Sequence, residues 1–436
     1  MIKKTIISEF FTTVSFSQMM QSLYLMSFWL YKLKHWKEKE LFEEKLLSYI
    51  NSFSLGGKDV WKADREKIIS FYNWRSAIFH ALKMIWVSKE DEVIVNAYNC
   101  VSVTNAVIQT WGKIVYSDIE TETLSFNFEI LKKNITKNTK VIIIQHTFWK
   151  QARDYNKIID FAKQNNILVI EDCAHYIPLS QPFPPREKGV LKWDFAIFST
   201  WRDKVISSVI GGFLLINNEK YFEKIEKIKE QLKIPSTSLI LKILNYNIVW
   251  YLAYELYDFL KLWRIIIFLS RKLKLITEIL TPNEKACNFD NFYLDFPNSL
   301  AYLALKELEK LDKYTKIRLE NSQYYFDNLT NNSNKFSFIF LNLLDYNWFR
   351  FPILLSSEEE KNKLLKEAKK QNIILWTSWS WINLAPIWTN LEKAQYQIWS
   401  CPVAEDISKR ILTLPNHKLI TKKDLKRFVN LLNNFK

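Results

Sequence analysis

Between Asp64 and Asn218, six short apolar runs alternate with segments of helical period; the runs are Glu92 to Asn96, Lys113 to Tyr116, Val141 to Gln145, Ile167 to Glu171, Phe195 to Ser199 and Phe213 to Ile216. Runs that are apolar on both faces need cover on both faces, and a helix between consecutive strands supplies it while allowing a parallel connection. The alternation predicts a mostly parallel sheet flanked by helices, an α/β fold. At 436 residues the chain is longer than one core usually serves, so a second domain is expected. The pattern divides as a helical appendage over 1–57, a large α/β domain over 58–235, a helical and partly apolar insert over 236–290, and a smaller α+β domain over 291–436.

Composition narrows the function classes. Apolar residues make up 48% and aromatics 15%, which excludes a disordered chain. The four cysteines, Cys100, Cys173, Cys287 and Cys401, are too few and too scattered for a disulfide framework, and no CxxC pair suggests zinc. No metal is expected, the compartment reads as reducing, and no cleavable signal is read at the N-terminus, so a cytoplasmic protein is expected. The 61 basic and 46 acidic side chains leave +15, which favours anionic partners such as phosphorylated substrates or acidic headgroups. Leu239 to Leu260 approaches membrane-span length, but Lys242, Glu255 and Asp258 interrupt it. A buried or dimer-facing helix pair is expected there. The alternative is a peripheral membrane contact through 239–274, because Lys261, Arg264, Arg271, Lys272 and Lys274 cluster beyond the apolar stretch.

The chemistry is concentrated in VIEDCAHYIP, Val169 to Pro178, and DFAIFSTWRDKVISSVIGGFLLIN, Asp194 to Asn217. An acid past a buried strand, then a Ser ending another strand with a Lys five residues on, suits pyridoxal phosphate. A carboxylate facing the pyridine nitrogen keeps it protonated, a nearby Lys forms the resting imine and shuttles the proton, and a hydroxyl with helix-end amides holds the phosphate.

These segments resemble the DegT/DnrJ/EryC1/StrS family of sugar aminotransferases, as do NAYNCVSVTNAV from Asn96 to Val107, IVYSDIE from Ile114 to Glu120, VIIIQHTF from Val141 to Phe148 and CPVAEDISKRILTLPNH from Cys401 to His417. The resemblance implies the aspartate aminotransferase type (fold type I) and pyridoxal 5'-phosphate as cofactor. By it Lys204 is the Schiff-base lysine, Asp172 the partner of the ring nitrogen and His175 the residue beside the ring hydroxyl. Ser199 and the amides near Arg75 and Ser76, with Trp74 at their edge, are placed at the phosphate. Cys100 is placed on the cofactor face, and Asn217 where the family reaches the phosphate of a neighbouring subunit, which implies a homodimer with shared sites. The implied reaction aminates a nucleotide-linked keto-sugar with Glu or Gln as donor, and no nucleic acid is expected. A sugar dehydratase of the same family is disfavoured because those members lack the lysine kept at Lys204. A catalytically silent, membrane-associated scaffold is the other alternative.

One departure runs through the whole chain. It has 6 Gly and 17 Trp, where average usage gives roughly 30 Gly for this length. Trp stands where the family usually has Gly at Trp74, Trp149, Trp193, Trp376, Trp388 and Trp399, with Trp86, Trp111 and Trp201 as further cases. Repeated exchange in one direction points to a decoding effect, because UGA is read as Gly in a few bacterial lineages and as Trp in other codes.

Overall fold

The structure is a computed structural model that describes residues 5–7, 14–28, 37–54, 67–175, 193–278, 280–289, 291–329, 335–340, 350–377 and 379–435. Its centre is a seven-stranded sheet in the order β2, β9, β8, β7, β6, β3, β5. These strands are β2 (Ile68–Phe71), β3 (Glu92–Asn96), β5 (Lys113–Ser117), β6 (Thr139–Gln145), β7 (Leu168–Cys173), β8 (Phe195–Ser199) and β9 (Gly212–Ile216). Only β9 runs against its neighbours; the pairs among β5, β3, β6, β7 and β8 are parallel. The six expected strands all form, within two residues at either end. The edge strand β2 has no counterpart in the sequence reading, because its four residues run straight into a helix.

Alternate side chains go to opposite faces of the sheet. Ile94, Ile142, Ile144, Val169, Ala196 and Phe213 feed the core on one face, and Val93, Val95, Val141, Ile143, Ile170 and Phe195 that on the other. The second face is covered by α3 (Trp74–Met84) and α4 (Val101–Ile108). Asn73 starts α3, its side chain accepting from the Ser76 N–H at 3.0 Å. On the first face α6 (Tyr155–Gln164) buries Ile158, Ile159 and Ala162; α5 (Phe128–Asn134) lies after β5.

The C-terminal part has an antiparallel sheet of β10 (Phe336–Phe338), β11 (Phe351–Leu355) and β14 (Ile411–Leu414). Around it stand α12 (Leu311–Asn328), α13 (Glu358–Lys370), α14 (Pro402–Arg410) and α15 (Lys422–Asn433). Thr421 and Asp424 start α15 with a capping box.

The segments expected as appendage and insert are packed into this body. Among the first residues, β1 (Ile6–Ile7) pairs in parallel with β12 (Ile373–Ile374). Helix α1 (Phe16–Phe28) lies on α8 (Thr237–Glu255), and α2 (Glu38–Ser54) on α11 (Asn298–Leu308), burying Leu25, Phe42, Leu46 and Ile50. Helix α7 (Glu223–Gln231) precedes α8, which buries Ile240, Ile243, Leu244, Tyr246 and Trp250. The insert continues with α9 (Leu262–Lys272) and the short α10 (Pro282–Lys285). Among the described residues no helix is long and apolar enough to cross a membrane.

Candidate active site

Open α/β sheets place ligands outside the carboxyl ends of their strands. Here β6, β7 and β8 end in Gln145, Asp172 with Cys173, and Ser199, and a cavity of about 120 Å³ lies beside them. Gln145, Asp172, His175, Lys204, Arg75 and Cys100 line it. The volume is below the roughly 300–1,000 Å³ of a typical small-molecule site. Four tryptophans, Trp74, Trp201, Trp376 and Trp379, are among the residues that form its wall.

Asp172 is buried in β7 and accepts a hydrogen bond from the Ala174 N–H at 2.9 Å. Burial pushes its carboxyl up to about 6, while the Ala174 N–H and the charges of Lys204 and His146 act against that rise. At neutral pH it is an anion in a site that disfavours anions, so a cationic ring N–H placed there would be stabilised.

Lys204 lies in the turn after β8, its backbone N–H on the Trp201 carbonyl at 2.9 Å. Its Nζ is 3.7 Å from Asp203 Oδ1, and the other oxygen of Asp203 receives Arg350 Nη2 at 2.7 Å. The Arg350 guanidinium lies 3.4 Å from the centre of the Trp376 ring.

His175 Nδ1 accepts from the Phe148 N–H at 3.2 Å, which leaves the proton of the neutral ring on Nε2. The ring lies parallel to Phe148, centroids 5.6 Å apart, and edge-on to Trp379. Burial and the Lys204 charge hold its pKa well below the ordinary histidine value, so it is a neutral imidazole.

At the other end of the cavity Arg75 sits in the first turn of α3. Its Nη2 pairs with Glu284 Oε1 at 2.5 Å, its Nη1 donates to Ser102 Oγ at 3.4 Å, and its buried Nε has no hydrogen-bond partner. Trp74 opens the same helix and also lines the cavity. The Cys100 thiol lies 3.5 Å from Ser102 Oγ and is pushed up by burial, which keeps it protonated.

Three expected residues are placed differently. The Ser76 amide is taken by the Asn73 cap and does not face the cavity. Ser199 accepts from the Trp201 N–H at 3.2 Å and so shapes the turn that carries Lys204 instead of lining the wall. Asn217 follows β9 at the opposite end of the sheet, because β9 runs antiparallel to β8 and pairs Ile216 with Phe195; its side chain donates to the Trp193 carbonyl at 2.9 Å.

The sequence reading missed Gln145, Asn99, Ser102, Asp203, Arg350 and the roof of the cavity, Trp376, Trp379 and Pro386. Strand β13 (Leu384–Ala385) pairs in parallel with β4 (Asn99–Cys100) and brings that roof across from the C-terminal part. Gln145 alone carried a signal, as the polar residue ending an apolar strand. On the opposite face of β7, Glu171 and Cys173 meet His146, and Glu171 is already bonded to His146 and Tyr155.

The donor set suits pyridoxal phosphate: a buried acid for the ring nitrogen, an amine, and at the far end a guanidinium whose Nε is unsatisfied. Space is the limiting quantity.

The chain matches the DegT/DnrJ/EryC1/StrS aminotransferase family over residues 61–235 and 294–433. It is 24% identical over 365 residues to an uncharacterized protein of Methanocaldococcus jannaschii, covering 83% of this chain and 84% of that one. It is 28% identical over 183 residues to a GDP-perosamine synthase of Vibrio cholerae, covering 42% of this chain and 48% of that enzyme; the match thus spans about half that relative's length. Among solved structures, NtdA of Bacillus subtilis with bound cofactor PMP superposes with a TM-score of 0.71 at 18% identity, over 99% of this chain and 85% of that one. Helicobacter pylori PseC, an aminotransferase of pseudoaminic acid biosynthesis, gives 0.68 at 17% identity, over 99% and 98%. The fold is that of the fold type I sugar aminotransferases. The matched residues include the strands and turns that carry Asp172, His175 and Lys204 as well as the small C-terminal sheet, and the chain belongs to the DegT/DnrJ/EryC1/StrS aminotransferase family.

Proposed function

We propose that the protein is a pyridoxal phosphate dependent aminotransferase that converts a nucleotide-linked keto-sugar to an amino sugar, with Glu or Gln as donor. The observation that carries this reading is the meeting of Asp172 and Lys204, from two different strand ends, in one buried cavity. Pyridoxal phosphate, when bound, supplies an electron sink for a carbanion. Asp172 would hold the proton on its ring nitrogen, and His175 would offer its Nε2–H to the ring hydroxyl. Arg75 and the start of α3 would hold its phosphate. Lys204 Nζ would take the proton from one carbon and return it to another, with Asp203 and Arg350 fixing the turn from which it reaches.

The excess of 61 basic over 46 acidic side chains suits a diphosphate-bearing substrate. We place the enzyme in the cytoplasm as a homodimer, a state that sedimentation of the purified protein would test. The test of the reaction is twofold. Purified protein with added pyridoxal phosphate should develop an absorption band near the visible region and transfer an amino group to a member of a nucleotide keto-sugar panel. Lys204→Ala should abolish both; retained transfer in that variant would refute the assignment.

A further inference from the structure

Fifteen described non-glycine residues have positive φ, and five of them are tryptophan: Trp86, Trp111, Trp149, Trp381 and Trp399, with φ of 60°, 67°, 83°, 70° and 74°. Tryptophan supplies 17 of the 436 residues, so a third of the left-handed positions falls to a scarce residue type. An L-residue there brings Cβ against its own backbone, and glycine does not.

The local hydrogen bonds show what each position requires. After α3, the Trp86 N–H reaches the Lys83 carbonyl at 3.0 Å and the Val87 N–H reaches Leu82 at 3.1 Å. This is a Schellman ending with residue 86 at the position usually held by glycine. Thr147 to Lys150 closes at 2.9 Å with φ of 49° at Phe148 and 83° at Trp149, the mirror-image turn that needs positive φ twice. Gln397 to Ser400 closes at 3.2 Å with the single positive φ at Trp399, the glycine position of a type II turn.

At three of the five positions the side chain gives no compensation. The indoles of Trp86, Trp111 and Trp399 are 74%, 80% and 77% exposed, so burial does not offset the strain. Elsewhere the same left-handed helix-end position is filled by Asn166 after α6, Asn372 after α13, Lys274 after α9 and Cys287 after α10. Divergence from glycine thus scatters over several residue types; no type other than tryptophan holds five of the fifteen positions.

We infer that the polypeptide made from this gene in its own organism carries glycine at residues 86, 111, 149, 381 and 399, the codons being UGA. This goes beyond the catalytic reading and does not depend on it. Of the six positions expected from the sequence, Trp149 and Trp399 meet the backbone criterion, whereas Trp74, Trp376 and Trp388 do not. Residue 74 lines the cavity of about 120 Å³ beside Arg75, and its backbone places no such demand on it.

The test is the mass of peptides containing residues 86, 111 and 399, from protein purified from the native organism, read beside the gene. Glycine masses at UGA codons are expected. UGG codons, or a native peptide with tryptophan at 86 or 111, would overturn the inference whether or not the protein proves to be an aminotransferase. As a second measurement, protein expressed with glycine at the five positions should melt at a higher temperature than the chain as written; an equal or lower midpoint counts against the idea.

Helix α8 leaves only Ser238, Leu252 and Glu255 exposed, but α9 and its flanks expose Phe259, Leu260, Ile265, Phe268, Leu269 and Leu273. Lys261, Arg264, Arg271, Lys272 and Lys274 are exposed on the same segment, and no acidic residue occurs between Asp258 and Glu278. The geometry points to an anionic bilayer surface as the occupant: apolar side chains enter the headgroup boundary while the cations meet lipid charge. A two-fold contact with a second copy would set five cations against five. The protein should co-sediment at low salt with vesicles containing phosphatidylglycerol and not with pure phosphatidylcholine vesicles, and should release as salt is raised. Phe268→Ser should lose binding. No binding to anionic vesicles at low salt, or equal binding by Phe268→Ser, would overturn it.

Discussion

Asp172→Asn separates what the carboxylate does for function from what it does to stability. In the unfolded chain the carboxyl titrates near 3.8, and in the fold burial pushes it up to about 6. The folded protein therefore binds this proton more tightly than the unfolded chain does. The stability gained from it is complete below 3.8 and is lost as pH rises through about 6. A difference of about 2 pKa units corresponds to about 3 kcal/mol, an upper figure for what the buried anion costs the cofactor-free protein at neutral pH. Asparagine keeps the shape and can still accept from the Ala174 N–H, and it removes the charge. Cofactor-free Asp172→Asn should thus be more stable than the parent by about 1–3 kcal/mol at about pH 7.5, with the difference vanishing near pH 4. Urea unfolding of both proteins at the two pH values measures it. Saturating pyridoxal phosphate should reverse the order, because the parent alone has an anion for the ring nitrogen, and a ligand at about 100 times its Kd adds about 2.7 kcal/mol. Turnover of the variant should fall on the order of a thousandfold. An Asn variant that is less stable by the same amount at both pH values would refute the electrostatic argument.

Glu284→Ala should lower stability by about 3–5 kcal/mol in urea unfolding, since it leaves the Arg75 guanidinium buried without its partner and opens the Thr281 capping box; Arg75→Met with Glu284→Leu should recover much of the loss. Asp203→Asn should lower kcat more than it raises KM, because the carboxylate lies against both Lys204 and Arg350; a variant with kcat kept and only stability lowered would make Asp203 merely structural. Burial lowers His80 to about 4, His417 to about 3 and His175 well below its usual value. Their contribution is complete above the unfolded value of 6.5 and is lost as pH falls, so the thermal midpoint should drop through that range, less steeply in His80→Phe.

The strands of the large sheet were legible because a strand covered on both faces is an apolar run in its own right, and the run at Ile167 to Glu171 puts Asp172 at its end whatever surrounds it. Lys204 was legible as the lysine five residues beyond the strand-ending Ser199, whereas His175 entered only through the family resemblance. The sequence also determined the glycine deficit, but which tryptophans are strained was decided by backbone dihedrals: Trp381 escaped notice, and Trp74 carries no backbone demand. Only the tertiary structure could join Asp203 to Arg350, Arg75 to Glu284 and β4 to β13, because each partner lies at least 147 residues away and no local period records such a pairing. It alone moved Asn217 to the far end of the sheet, since the direction of β9 follows from pairing with β2 and β8 and not from its own residues. The first fifty residues read as an appendage because an amphipathic helix shows that it has an apolar face and not what covers it; Phe42 and Leu46 find their cover in elements more than 150 residues further along the chain.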